Sequence, residues 1–165
     1  MIIWIVGSGG LLGSALVRVA RKQHHTVLVS HDVPWSDTKG TVEAIARDTR
    51  HLEESIERSP ESQPRWAIIW AAGRATTASS DKEAEIELST FQGCLEVIKG
   101  ILRDRPGGVF ALASSAGGVY AGSSDPPFNS STEPRPLGTY GQLKLNQERA
   151  ATQALGHSMG VMIAR

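Results

Sequence analysis

The sequence predicts an α/β fold, in which a doubly wound parallel sheet lies between helices in three α/β/α layers. Two observations lead to this prediction. Short apolar runs rich in β-branched residues alternate with longer stretches whose apolar residues recur at helical spacing. No linker or internal repeat divides the 165 residues. Because parallel neighbours need crossover connections, this alternation is typical of a single domain over residues 1–165.

The predicted strands are apolar runs bounded by glycine, proline or polar residues. The first covers residues 2–6 and ends at Gly7. Between Ser30 and Thr41 there is room only for a very short strand, around residues 33–35. Since the last predicted strand closes the sequence, and a buried strand is an unusual natural terminus, we expect the N-terminal portion of a longer protein. The remaining strands are predicted at residues 26–30, 66–70, 109–113 and 161–164.

The predicted helices are ended by basic residues, proline or glycine. The first ends in Arg21 and Lys22, which suit the negative end of a helix dipole. Pro60 ends the second, and a Pro-Gly-Gly run at 106–108 follows the third. Residues 116–138, rich in glycine, serine and proline, are predicted as loop. The helices are predicted at residues 11–22, 41–58, 84–103 and 139–155.

The composition limits the classes of partner that this chain is expected to bind. The 17 lysines and arginines balance 17 aspartates and glutamates, so there is no excess positive charge of the kind that would indicate nucleic-acid binding. The opening apolar run is too short to span a bilayer or form a signal-peptide core, so we expect no membrane association and a cytoplasmic location. The single Cys94 excludes an internal disulfide, and we expect it to pack in the core. The histidines show no ligand spacing, so no metal is expected.

A glycine-rich turn joins the first strand to the first helix. Gly7 allows the tight turn, Gly10 lets the backbone approach a phosphate, and Gly13 lets the helix pack close to the sheet. The helix N-terminus adds free N–H donors and a favourable dipole. The turn therefore predicts a site for the pyrophosphate of a dinucleotide. Its sequence is Gly7-Ser8-Gly9-Gly10-Leu11-Leu12-Gly13.

The end of the second strand predicts the contact with the adenosine ribose. Asp32 lies near the distance, about 20 residues on, at which an acidic residue binds the ribose hydroxyls. His31, however, stands where the strand is predicted to end. If His31 or Ser30 faces the ribose, a 2′-phosphate could be accepted instead. The sequence therefore allows either NAD or NADP.

Tyr140 and Lys144 lie four residues apart, on one face of a predicted helix. Phenols ordinarily lose their proton near pH ~10, and a nearby ammonium favours the phenolate. Such a tyrosine can take a proton from a substrate hydroxyl while hydride passes to a cofactor. Ser114 and Ser115 follow a strand at its carboxyl end, where such sheets bind ligands. Either hydroxyl could bond the reacting oxygen or cap the loop.

In this order the three elements resemble the short-chain dehydrogenase/reductase superfamily. They are more similar to its extended branch, the NAD-dependent epimerase/dehydratase family, which acts on nucleotide sugars. The resemblance spans nearly the whole chain and implies a Rossmann-type NAD(P)-binding domain. The segments that carry it are Ser-Ser-Ala-Gly-Gly-Val-Tyr at 114–120, Glu-Pro-Arg-Pro at 133–136 and Tyr-Gly-Gln-Leu-Lys-Leu-Asn-Gln-Glu at 140–148.

The resemblance implies roles for single residues. Tyr140 would be the catalytic base or acid, and Lys144 would hold the nicotinamide ribose hydroxyls and favour the phenolate. The catalytic Ser/Thr falls on Ala116 by direct counting and on Ser115 if one glycine is extra; Ser115 is preferred and Ser114 is second. The predicted cofactor site, including the matching strand-end segment, comprises Gly7, Gly10, Leu11, Leu12, Gly13, His31, Asp32, Ala71, Ala72, Gly73, Tyr140 and Lys144.

The chain also departs from the family pattern. The acidic residue that usually follows the third strand is not evident. The asparagine common early in the fourth helix is missing, and Glu87 and Ser89 lie in that region. The C-terminal part that builds most of the sugar-nucleotide pocket is expected to lie beyond this sequence, so the fragment alone could bind a cofactor without turnover.

Three functions are compatible with this sequence. The first is an epimerase or dehydratase that transiently oxidises a nucleotide sugar with NAD or NADP. The second is an NADPH-dependent reductase of a ketone or sugar. The third is a non-catalytic dinucleotide-sensing module, which has no need of an intact serine, tyrosine and lysine. The resemblance also allows a homodimer formed through the helices at residues 84–103 and 139–155.

Overall fold

Strands and helices alternate along the computed structural model, which describes residues 1–124 and 126–165. Within these residues five parallel strands form one sheet, in the spatial order β2-β1-β3-β4-β5 once the strands are numbered along the chain. The sheet therefore winds outwards in both directions from the β1–β3 pair, as a doubly wound fold requires. The strands are β1 (Ile2–Val6), β2 (Thr26–Val29), β3 (Trp66–Trp70), β4 (Gly108–Ala113) and β5 (Gly160–Ala164).

Helices cover both faces of the sheet, which confirms the predicted Rossmann-type three-layer class. One helix, α1, lies on one face, where it packs on Ile3 and Ile5 of β1. The opposite face of β1, carrying Trp4 and Val6, packs against the second, third and fifth helices in the main core. The helices are α1 (Leu11–Lys22), α2 (Thr38–Glu57), α3 (Asp81–Leu102), α4 (Ala116–Val119) and α5 (Thr139–Leu155).

Two helices begin three residues before their predicted starts, because capping side chains extend them. Asp37 caps α2 by accepting a hydrogen bond from the Lys39 amide at 3.0 Å. Ser80 and Glu83 form a reciprocal capping box at the start of α3. The Ser-x-x-Glu spacing in the sequence is a recognised capping-box pattern that indicates the start of α3.

Two predicted segments were wrong. Residues 33–35 form no strand. Instead the Trp35 indole packs on the main core and meets the Trp70 ring edge-on, with 6.4 Å between centroids. As a result β2 is an edge strand in the described part of the sheet. The predicted loop at 116–138 also contains a short helix, α4, which Ser115 caps.

Cys94 lies fully buried in α3, as expected, and its thiol is free. Burial raises the pKa of the Cys94 thiol to about 12. We therefore expect iodoacetamide at pH 8 to label the native protein at least about 100-fold more slowly than the urea-unfolded protein, because the thiolate is the nucleophile. Mass spectrometry of timed samples measures both rates, and equal rates would contradict the buried position.

Candidate functional site

The glycine turn packs tightly against its surroundings at two of its glycines, where there is no room for a side chain. Gly7 has a φ of +83°, and a Cβ there would lie 2.7 Å from the Ala72 Cα. A Cβ on Gly13 would lie 2.1 Å from the Gly7 carbonyl oxygen. The Ala71 amide donates to the Val6 carbonyl at 2.9 Å, which holds the ends of β1 and β3 together. Gly7 and Gly13 are thus required by the fold itself.

Gly10 differs, because its surroundings are open. A Cβ on Gly10 would come no closer than 3.5 Å to a protein atom. Gly10 is the N-cap of α1 and, having no side chain, leaves the amides of the first turn uncapped. The Leu11 and Leu12 side chains are 94% and 50% exposed. The turn therefore presents backbone N–H groups to an open space, which is how helix N-termini bind phosphate.

Lys144 is the buried cation at this edge of the sheet. Its side chain is 6% exposed, and its Nζ lies 5.8 Å from the centroid of the Tyr140 ring, one turn earlier on α5. The ammonium donates to Gln147 Oε1 at 3.1 Å. Burial lowers the pKa of Lys144, while the carboxylates of Glu87 and Glu148 act in the opposite direction.

Glu87 connects the segment after β3 to the Lys144 site, and the sequence did not reveal its contacts. Glu87 Oε2 accepts the backbone N–H groups of Arg74 and Ala75 at 2.8 and 2.7 Å. A Cβ on Gly73 would lie 3.2 Å from Glu87 Oε1 and 3.4 Å from Lys144 Nζ. The only available signal was that Glu87 stands in the region where the family has its asparagine.

Ser115 is the N-cap of α4, the short helix that packs against α5 at Tyr140. Its Oγ accepts the Gly118 amide at 3.2 Å. Gly118 in turn lies against α5, because a Cβ there would be 3.2 Å from both the Gly141 Cα and the Tyr140 Cδ1. Ser114 points elsewhere and donates a hydrogen bond to the buried carboxylate of Glu148. Ser115 therefore caps the short helix that packs beside Tyr140, whereas Ser114 is engaged with Glu148.

A second charged network, also missed from the sequence, ties β5 to α5. Arg165 donates from Nε to Glu148 at 3.0 and 3.1 Å and from Nη2 at 2.5 Å. It also donates to the Tyr120 hydroxyl and lies 5.0 Å from that ring's centroid. The adjacent Glu148 carboxylate raises the pKa of Arg165. Through Glu148 this network also holds the Ser114 hydroxyl in place.

Replacing Glu148 by glutamine is expected to lower the free energy of unfolding by about 2 kcal/mol, because it removes the charge opposite a partly buried guanidinium. The control is Glu133→Gln, which acts on an exposed Glu–Arg pair whose partner is Arg135 and should cost no more than about 0.5 kcal/mol. Urea unfolding of both variants measures the difference. Equal stabilities for the two variants would show that the network contributes nothing specific.

The residues predicted for the ribose contact stand at the end of β2, apart from the Tyr140 cluster. Ser30 is turned inwards, since its Oγ accepts the Trp4 indole N–H at 3.0 Å. His31 and Asp32 are exposed, and Asp32 has a φ of +53°. The Arg47 guanidinium donates from Nη2 to the His31 carbonyl at 3.0 Å. The strand end therefore offers an imidazole, a carboxylate and a guanidinium to solvent.

A cleft of about 250 Å³ opens between the segment after β3 and α3. Its lining combines aromatic rings with polar groups, and includes Trp35, Gly73, Arg74, Glu87 and Phe91. Among residues 1–124 and 126–165, no three histidine, cysteine, aspartate or glutamate side chains group as a metal site. In the same described ranges, no helix has both the length and the apolarity needed to cross a membrane.

Solved structures share this fold at low sequence identity. The chain matches over 100% of its length to the UDP-glucose 4-epimerase of Thermotoga maritima with UDP-glucose (TM-score 0.71, 18% identity, 55% of that chain). A second match is the Thermus thermophilus UDP-glucose 4-epimerase complex with NAD, with a TM-score of 0.73 and 15% identity over 100% of this chain and 54% of that chain. A dTDP-4-dehydrorhamnose reductase of Clostridium acetobutylicum also matches, with a TM-score of 0.68 and 18% identity over 99% of this chain and 52% of that chain.

The chain spans about half the length of these solved structures. No curated protein matches it significantly. The family profile described as NAD dependent epimerase/dehydratase matches residues 3–164, which is nearly the whole chain. The chain therefore belongs to the NAD dependent epimerase/dehydratase family.

Proposed function

We propose that this chain binds a nicotinamide dinucleotide at the carboxyl edge of its sheet and serves an epimerase or dehydratase that acts on a nucleotide sugar. The observation that carries the proposal is the buried Lys144 ammonium, which lies between the Tyr140 ring and Gly73. Burying an ammonium here carries a free-energy penalty of desolvation, so its presence favours a role in chemistry at the neighbouring Tyr140 phenol over a role in packing alone.

The glycine turn has the form needed to hold the pyrophosphate. Gly10 and the amides of Leu11 and Leu12 face open space, and a side chain at Gly10 would occupy the position assigned to a phosphate. Ala71, Ala72 and Gly73 would line the middle of the dinucleotide. The cleft beside Trp35 would receive its adenine, since an indole suits a flat heterocycle. These assignments give the dinucleotide a continuous path along the sheet edge.

The bound dinucleotide would accept a hydride from the substrate or return it. Tyr140 would take the proton from the reacting hydroxyl oxygen and give it back on the return step. The Lys144 ammonium would favour the phenolate of Tyr140 and hold ribose hydroxyls through its N–H groups. Ser115, which caps the short helix packed against Tyr140, would donate a hydrogen bond to the same substrate oxygen.

Nucleotide sugars are proposed as substrates because related folds are solved as sugar-nucleotide enzymes, one of them with UDP-glucose. The test is turnover of UDP-glucose and of dTDP-4-dehydrorhamnose by the full-length protein that carries this chain, supplied with NAD or NADPH. Conversion of either supports the proposal. Tight dinucleotide binding with no conversion of any nucleotide sugar would instead favour the non-catalytic sensing module.

A reductase that uses NADPH is the second candidate, and the end of β2 favours it. Arg47 brings a guanidinium to the exposed His31, where the 2′-phosphate of NADP would lie. Asp32 would favour NAD by accepting the ribose hydroxyls. Calorimetric titration of the protein with both dinucleotides separates the two. Tighter binding of NADP, weakened by Arg47→Ala, supports the reductase, whereas tighter binding of NAD supports Asp32 as the ribose ligand.

A further inference from the structure

We propose that Glu87 is a positioning residue for Lys144. Glu87 acts through Gln147 to fix the Lys144 ammonium beside Gly73 and to keep that ammonium charged in a buried site. The proposal deepens the proposed function and rests on it for the importance of Lys144. It assigns a role to a charged side chain at a place where the sequence showed only a departure from the family pattern.

The hydrogen-bond geometry connects three elements in a single chain of contacts. Lys144 Nζ donates to Gln147 Oε1 at 3.1 Å, and Gln147 Nε2 donates to Glu87 Oε1 at 3.3 Å. The second carboxylate oxygen of Glu87 is held by the amides of Arg74 and Ala75. A side-chain amide has one acceptor end and one donor end, so the carboxylate orients Gln147 with its oxygen towards the ammonium.

The burial of these groups makes the orientation matter. Gln147 is 1% exposed and Lys144 is 6% exposed. A flipped Gln147 would point its NH₂ group at the ammonium and leave a buried donor opposite a cation. Because Glu87 is fixed by two backbone N–H groups of the segment after β3, the Lys144 position is coupled to the segment proposed to line the dinucleotide.

The charges that face Lys144 come from α3 and α5. Glu87 on α3 and Glu148 on α5 favour its protonated form, against the desolvation that opposes it. Tyr140 lies on the same helix one turn away. The Arg74 guanidinium is directed elsewhere, since its Nη1 donates to the Trp35 carbonyl at 3.4 Å. Glu148 is already paired with Arg165, which leaves Glu87 as the main compensating charge.

The test is the titration of the Lys144 ammonium by NMR on protein carrying ¹³C,¹⁵N-lysine, which contains only five lysines. Glu87→Gln is expected to lower the pKa of Lys144 by about one unit relative to the wild type, because an opposite charge is lost nearby. Glu85→Gln, an exposed position on the same helix, is the matched control and should leave the titration unchanged. No shift in Glu87→Gln, or an equal shift in the control, would overturn the proposal.

A second variant keeps the test independent of whether Glu87→Gln folds. Gln147→Met removes the bridge while leaving Glu87 on its two amides. It should also lower the pKa of Lys144, with unchanged hydrogen-exchange protection at Arg74 and Ala75. An unchanged titration of Lys144 would show that Gln147 does not transmit the effect of Glu87 to Lys144. Neither readout needs dinucleotide or turnover, so failure here is distinct from failure of the proposed function, which would appear as absent dinucleotide binding.

Discussion

Replacing Tyr140 by phenylalanine is expected to lower turnover of the nucleotide-sugar substrate by about 10²–10⁴-fold, the range for loss of a general acid–base group. The ring and its packing against Gly118 are retained, so the fold and dinucleotide affinity should change little. The measurement is kcat and KM for wild type and variant at the same dinucleotide saturation. We expect the loss in kcat, because the hydroxyl acts in the chemical step.

Tyr120→Phe is the matched control, since the chain has two tyrosines. The Tyr120 hydroxyl contacts Arg165 and the Asn129 carbonyl and is assigned no chemical role. Its removal should cost stability and leave kcat within about threefold. A Tyr140→Phe protein that turns over like the wild type would remove Tyr140 from the proposed mechanism.

The second large effect is expected from Gly13→Ala. The new Cβ would lie 2.1 Å from the Gly7 carbonyl oxygen, a backbone atom that cannot move without shifting the turn. We expect the free energy of unfolding to fall by about 2–4 kcal/mol, because overpacking at a backbone contact forces displacement of α1 from the sheet. Urea unfolding of the variant provides the measurement.

Gly9→Ala controls for the loss of glycine in the same turn. A Cβ on Gly9 would meet nothing within 4 Å, so its cost should stay below about 0.5 kcal/mol. If Gly13→Ala were as stable as Gly9→Ala, the close approach of α1 to the turn would be contradicted.

Local signals predicted much of the fold. The bounds of α5 at Thr139–Leu155 and of β1 at Ile2–Val6 are confirmed, because periodicity and a terminal glycine mark them within the segment itself. The starts of α2 and α3 were missed because capping side chains, Asp37 for α2 and the Ser80–Glu83 box for α3, begin each helix earlier. The strand wrongly predicted at 33–35 has a tertiary cause, since Trp35 packs on the core instead of pairing in the sheet.

The candidate site divides in the same way. The glycine turn and the Tyr140–Lys144 pair are short motifs, and the sequence located both. Glu87 is linked to Gln147 across 60 residues, and Arg165 to Tyr120 across 45. No sequence spacing encodes such contacts, because they arise only when the sheet order brings α3, α5 and β5 together. The sequence also did not reveal that Ser114 is engaged with Glu148, and the catalytic role of Ser115 stays a prediction.

The central claim is that the glycine turn is a dinucleotide site, and calorimetric titration of the protein with NAD and with NADP tests it most directly. We predict saturable one-to-one binding of at least one of them, retained in Gly9→Ala and weakened at least about tenfold in Gly10→Ala, whose new Cβ the fold accommodates. Binding of neither dinucleotide by the folded wild-type protein, or equal affinity in Gly9→Ala and Gly10→Ala, would contradict the claim.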